Sequence, residues 1–109
     1  MGAVRNMPAV VVEITSMVDD KFPGFVECTL IDAYGGSHTF VEKVPVVTAE
    51  PLKWESEYPC EGAIRCEVEE EFVGFSDGQM VRVNTRRPDD VESARGETVF
   101  VVFAPQVRS

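Results

Sequence analysis

The clearest alternation of apolar and polar positions runs through Ala63–Asn84. Ile64, Cys66, Val68 and Phe72 share one phase, and Arg65, Glu67, Glu69 and Glu71 share the other. Successive side chains of a strand point to opposite faces of its sheet, so this is the pattern of a half-buried strand. Gly74-Phe75-Ser76-Asp77-Gly78 interrupts the alternation, and Met80–Asn84 follows. Asp77-Gly78 offers two residues that tolerate positive φ, and the spacing predicts a hairpin turning there. The register that keeps both apolar sets on one side places Phe72 against Val83 and Gly74 against Val81 inside. It places Glu69 against Arg86 and Val73 against Arg82 outside.

Before this hairpin, Val10–Val18 reads as a first strand, with Val10, Val12, Ile14 and Val18 in one phase and Val11, Glu13, Thr15 and Met17 in the other. Turn chemistry at Asp19–Gly24 leads to a second strand, Phe25–Asp32, with Val26, Cys28 and Leu30 inward. Ala33-Tyr34-Gly35 is expected to close a three-residue hairpin with Gly35 left-handed, opening a third strand over Ser37–Val44. Phe40 and Val41 are adjacent and apolar there, which predicts cover on both faces or a bulge at Gly35-Gly36.

Pro45–Gly62 is the longest stretch without strand character. Thr48 is expected to cap one helical turn over Ala49–Glu55, with Pro51 in its first turn. Trp54 reads first as a core plug and second as a binding residue. After the loop Arg86–Asp90, Val91–Ser93 and Thr98–Phe103 predict a last hairpin around Ala94-Arg95-Gly96. The final strand is apolar in both phases, which predicts cover on both faces, in mid-sheet or inside a closed barrel. The expected fold is all-β: one small antiparallel, partly open barrel of about six or seven strands with at most one short helical turn. Residues 1–109 form its single domain, and 1–8 read as a disordered extension.

Composition narrows the partners. At 109 residues the chain is one domain with a thin core. Its formal charge is −9, from 19 acidic and 10 basic residues, and a field of that sign repels phosphate backbones. The candidate basic group Arg82, Arg86, Arg87 and Arg95 is interspersed with Asp89, Asp90, Glu92 and Glu97, so nucleic-acid binding is not expected. The apolar run Met7–Val12 is short for a secretory signal, and no stretch is long enough to span a bilayer. Met1-Gly2 lacks the Ser or Thr of a myristoylation motif, having Asn6 instead. Cys28, Cys60 and Cys66 are an odd number without a Cys-x-x-Cys pair, which fits a reducing compartment, and a cytoplasmic location is expected.

Catalytic chemistry has few candidates. His38 is the single histidine; a dyad with a cysteine, or a zinc site of three cysteines and one histidine, is weighed against a plain strand histidine beside a turn, which the spacing favours. No glycine-rich phosphate loop opens a helix, so a nucleotide cofactor is not expected; the clustered ligand spacing of a zinc site and the alternating oxygen ligands of a calcium loop are missing as well, so no metal is expected. The acidic stripe remains. Glu67, Glu69 and Glu71 are expected in line on an outer strand face, with Arg82 and Arg86 available on the neighbouring strand. Its plain reading is a solvated face laced with ion pairs; the sharper one is a recognition surface for a basic protein.

The candidate binding residues are therefore Glu67, Glu69, Glu71 and Arg82, joined by Trp54 and Tyr58. The first expectation is a non-enzymatic protein-binding module, for instance one that neutralises a basic toxin or nuclease. The alternative is a small-molecule-binding or catalytic barrel with a pocket under the 45–62 loop. A homo-oligomer pairing through a strand edge is the third.

Phe40-Val41-Glu42-Lys43-Val44-Pro45-Val46-Val47-Thr48, with the preceding Asp32-Ala33-Tyr34-Gly35, resembles a group of short bacterial proteins without an assigned activity. The similarity extends to Val83–Pro88 and Val91–Phe103. It implies a bacterial, cytoplasmic, stand-alone domain and transfers no site residue. The expected barrel is also similar in outline to the small barrels of elongation factors and flavin reductases, a likeness of fold alone.

Overall fold

Two antiparallel sheets face one another across a single apolar core in the computed structural model, which describes residues 7–109. The strands are β1 (Ala9–Asp19), β2 (Phe25–Ile31), β3 (Ser37–Lys43), β4 (Cys60–Arg65), β5 (Glu67–Val73), β6 (Gln79–Asn84), β7 (Val99–Phe103) and the two-residue β8 (Val107–Arg108). The first sheet has the order β3-β2-β1-β4, with β8 also on β1, and the second has the order β5-β6-β7. The fold is all-β and partly open. Two backbone bonds, both 2.8 Å, tie the halves together where no ladder forms: Ala33 N of the β2–β3 turn donates to Val101 O of β7, and Ala94 N of the loop before β7 donates to Thr39 O of β3.

Alternation explains most of the core and bulges explain its exceptions. Val10, Val12, Ile14, Val26, Cys28 and Leu30 are buried as expected. In β1, however, Ile14 pairs with Cys28 and Ser16 with Glu27, so Thr15 is an extra residue. Its hydroxyl donates to Glu27 O at 3.1 Å. An extra residue inverts the phase beyond it, and so Met17 is buried while Val18, expected inside, is exposed. In β3 the register against β2 is unbroken from Ser37 to Lys43. Neither a bulge nor double cover is needed: Phe40 points in and Val41 out.

The long alternation through residue 73 is two strands. Up to Arg65 the chain pairs with β1, and from Glu67 it pairs with β6. The switch falls at Cys66, fully buried, whose amide donates to Pro8 O at 2.8 Å. Both sheets face one core, and the inward phase therefore passes through the corner unchanged. Pro8 thereby belongs to the fold, whereas 1–6 of the expected extension, Asn6 included, lie outside the described residues.

Further expectations need correction. The α-helix is α1 (Val44–Val47), with Pro45 in its first turn and Val44 and Val47 buried; Thr48 is extended, and no helix covers Ala49–Glu55. Two short 3-10 turns, Phe75–Asp77 and Ala104–Gln106, complete the helical content among the described residues. Val91–Ser93 is not a strand: the Ala94-Arg95-Gly96 turn forms, with Gly96 at φ +80°, but β7 pairs with β6 instead. In β7, Phe100 and Val102 are buried while Val99 and Phe103 are exposed. It ends its sheet, and its second apolar face meets solvent.

Candidate functional site

Directly paired residues of an antiparallel ladder point to the same side, so register decides what each face of the second sheet presents. Val68 pairs with Val83, Glu70 with Arg82, Glu71 with Val81 and Phe72 with Met80. The shift between Val68 and Glu70 marks a bulge that the alternation does not reveal. It exchanges the two faces from Glu70 onward, and a turn closed by Gly74 and Gly78 sets the pairing off the expected register. Gly74 N donates to Gly78 O at 2.8 Å, and the 3-10 turn Phe75–Asp77 lies between, in place of a two-residue Asp77-Gly78 turn.

The acidic stripe is rearranged accordingly. Glu67, opposite Asn84, and Glu70, opposite Arg82, lie on the outer face. Arg82 Nη2 donates to a Glu70 oxygen, and Arg82 Nε lies 3.5 Å from Glu69 Oε1. Asn84 Nδ2 donates to the other oxygen of Glu69 at 3.0 Å. Glu71 leaves the stripe: it is opposite Val81, which is buried, and so belongs to the inward phase at the sheet edge. Arg86 is not across from Glu69 either; it pairs with Asp90 at 3.3 Å. One guanidinium thus serves two carboxylates, and Glu67 and Glu71 have no ion-pair partner among the described residues.

Trp54 and Tyr58 stand apart from this face. Trp54 occupies the turn in which Ser56 N donates to Lys53 O, and it is 55% exposed, so it plugs no core. Tyr58 packs partly on the core and donates its hydroxyl to Lys53 O. The cleft nearest their loop has a volume of about 390 Å³ and is lined by Val11, Glu13, Thr29, Cys60 and Glu61 among others, with neither Trp54 nor Tyr58 in its wall. Burial raises the Cys60 thiol above its ordinary value, the opposite of what activates a nucleophile. Arg108 neutralises Glu61 in a bidentate pair that holds the carboxyl below its usual range.

A second polar group was not foreseen. His38 Nε2 lies 2.7 Å from Asp32 Oδ2, and its Nδ1 lies 3.4 Å from Glu97 Oε1. The ring edge meets Phe100 at a centroid distance of 4.8 Å. Asp32 Oδ1 also accepts the amides of Tyr34 and Gly36. Burial raises its carboxyl, but the His38 ring and these amides outweigh that and hold it below its ordinary value. The expected hairpin around Ala33-Tyr34-Gly35 does place His38 opposite Leu30; an Asp opening that turn was the available signal. Nearby, His38, Thr39, Ser93, Arg95 and Glu97 line an open cleft of about 410 Å³. No hydrogen bond joins Ser93 to His38 among the described residues; Ser93 Oγ accepts the amides of Arg95 and Glu97. The cluster locks a turn and has no relay to a nucleophile.

Among the described residues no group of His, Cys, Asp or Glu is arranged to hold a metal ion, and no helix is long and apolar enough to cross a membrane. Comparison with protein-family models, curated proteins and solved structures finds no match to this chain. Geometry and charge alone carry the functional reading.

Proposed function

We propose that this small all-β protein is a non-enzymatic protein-binding module of the bacterial cytoplasm, which engages a basic partner through the outer face of the β5-β6-β7 sheet. The observation that carries the reading is the mismatch of charge on that face: of Glu67, Glu69 and Glu70, Arg82 pairs with the last two and Glu67 has no cation opposite it. On a chain of net charge −9, such a face steers basic partners and repels nucleic acid. Three unpaired thiols, two of them buried, support a reducing setting.

The test is affinity capture from a bacterial lysate at low and high salt, comparing the protein with its Glu67→Lys/Glu69→Lys/Glu70→Lys variant. The expected result is a basic protein held by the parent, lost by the variant and released by salt. Identical capture by both proteins would sink the reading.

A further inference from the structure

The other half of the same face is aromatic. Phe72, Met80 and Phe103 form one cross-strand row on the outer side, two residues beyond the row of Glu70, Arg82 and Val101. Tyr34, from the β2–β3 turn, and Phe75, from the β5–β6 turn, complete it: ring centroids lie 5.7 Å apart for Tyr34–Phe75 and 6.3 Å for Phe75–Phe103. These are the separations of interacting rings. Yet the three rings remain 63%, 53% and 37% exposed, respectively for Tyr34, Phe75 and Phe103. Met80 is fully buried on this solvent-side face, outside the main core cluster. Its side chain lies over Gly74 at the hairpin tip, between its ladder partners Phe72 and Phe103.

The platform is built before any partner arrives. Tyr34 is fixed by the Asp32 turn and by the Ala33 N bond to Val101 O. Phe75 sits in a turn closed at both ends by Gly74 and Gly78. Phe103 N donates to Gln106 Oε1 at 2.9 Å, and Gln106 Nε2 reaches Ile31 O. Exposed aromatics carried on hydrogen-bonded turns next to a charged rim are the arrangement of a binding hot spot, because their backbone has little conformational entropy left to lose.

We infer that Tyr34, Phe75 and Phe103 receive a large apolar side chain from an extended basic segment of a partner protein, whose cationic side chains lie over Glu70 and Glu67. The inference rests on the protein-binding reading above and specifies its partner. A second copy is the poorer occupant, since it would bring the same carboxylates onto the same face. Rows on the sheet are separated by about 7 Å for every two residues. An extended segment lying along β5 matches them with its anchor at one position and basic residues two and four positions away.

The probe is the blocked peptide Lys-Thr-Arg-Thr-Phe-Thr-Arg-Thr-Lys, which offers that spacing in both chain directions. One control replaces its Phe with Ala; another replaces every Lys and Arg with Glu. Binding is followed by backbone amide shifts in the full chain. Expected are saturable shifts around Tyr34, Phe75 and Phe103 and along β5, weakened roughly 3- to 10-fold by Phe75→Ala or by Tyr34→Ala. Both positions are exposed, and the variants should keep the fold. The Glu67→Gln/Glu69→Gln/Glu70→Gln variant should weaken binding too and flatten its salt dependence.

If the charge variant weakens binding while both aromatic variants and the Ala peptide bind as the parents do, the platform is wrong and the acidic reading stands. If the Glu peptide binds as well as the basic one, the acidic reading fails, and with it the partner named here. Concentration-dependent shifts of the platform without peptide would show that it meets a second copy, and would also overturn the inference.

Discussion

The 2.7 Å contact of His38 Nε2 with Asp32 Oδ2 ties the β2–β3 turn to the strand it opens, and the same carboxylate gathers the amides of Tyr34 and Gly36. Asp32→Asn keeps an oxygen for those amides but loses the charged acceptor facing the ring. The expected loss is about 1–2 kcal/mol. The pH dependence has a definite sign. The folded carboxyl is held below the ordinary value of 3.8, so the unfolded chain takes up its proton first. The contribution is whole above that value and is lost as pH falls through the lower folded one. Urea midpoints measured from about pH 5 to pH 2 should fall less steeply in Asp32→Asn than in the parent; parallel curves would refute the assignment.

Gly62 lies where α1 crosses β4. A Cβ there would sit 2.8 Å from Ile14 Cδ1, 2.9 Å from its Cγ1 and 3.0 Å from the backbone oxygen of Val47. Ile14 is fully buried and Val47 O belongs to the helix, so neither can give way freely. Gly62→Ala should therefore destabilise the fold by roughly 1–3 kcal/mol, despite the better strand character of alanine. Chemical denaturation measures it, and a neutral or stabilised variant would show that α1 does not press on β4.

How far the sequence could be read depended on whether pairing stayed in step. In β2 it did, and Val26, Cys28 and Leu30 occupy the core as their alternation predicts. In β1 the extra residue Thr15 exchanged Met17 for Val18. In β5 the bulge after Val68 turned Glu71 inward and brought Glu70 to Arg82. Period two is blind to a single inserted residue, because the composition on either side of it looks unchanged. Cys66 concealed a change of sheet for the opposite reason: the phase runs through it unbroken. The aromatic platform was illegible, since Tyr34, Phe75 and Phe103 come together only when the turn of one sheet meets the hairpin tip of the other. Trp54 misled because an aromatic residue carries no mark of whether its loop folds inward.

Thr85 holds the loop that follows β6. It is fully buried, donates its hydroxyl to Val91 O at 2.6 Å and its amide to Thr98 O at 2.8 Å, and accepts the amide of Val91. Thr85→Val preserves shape and removes only the hydroxyl, leaving the Val91 carbonyl without that donor. About 1–3 kcal/mol should be lost. Amide exchange should accelerate at Val91 and Ser93 while β2 stays protected; uniform acceleration throughout the chain would mean that the hydroxyl does not anchor this loop in particular.

The three thiols should separate cleanly by reactivity. Burial pushes Cys28 up to about 12 and Cys66 up to about 11, from an ordinary 9.0, whereas Cys60 is only half-buried and shifts upward less. A disulfide reagent acts on the thiolate, so in the native protein near neutral pH it should label Cys60 first. Cys28 and Cys66 should follow only at the rate of opening, and all three should react alike in denaturant. The same shifts set an alkaline limit. Folded thiols stay protonated above the pH at which unfolded ones ionise, so their contribution is intact below 9.0 and is lost progressively as pH rises toward 11 and 12. Cys28→Ala should blunt that alkaline loss although it opens a small space in the core. Equal labelling of the three cysteines in the native state, or an alkaline limb unchanged in Cys28→Ala, would show that the core between the two sheets is wetter than its packing implies.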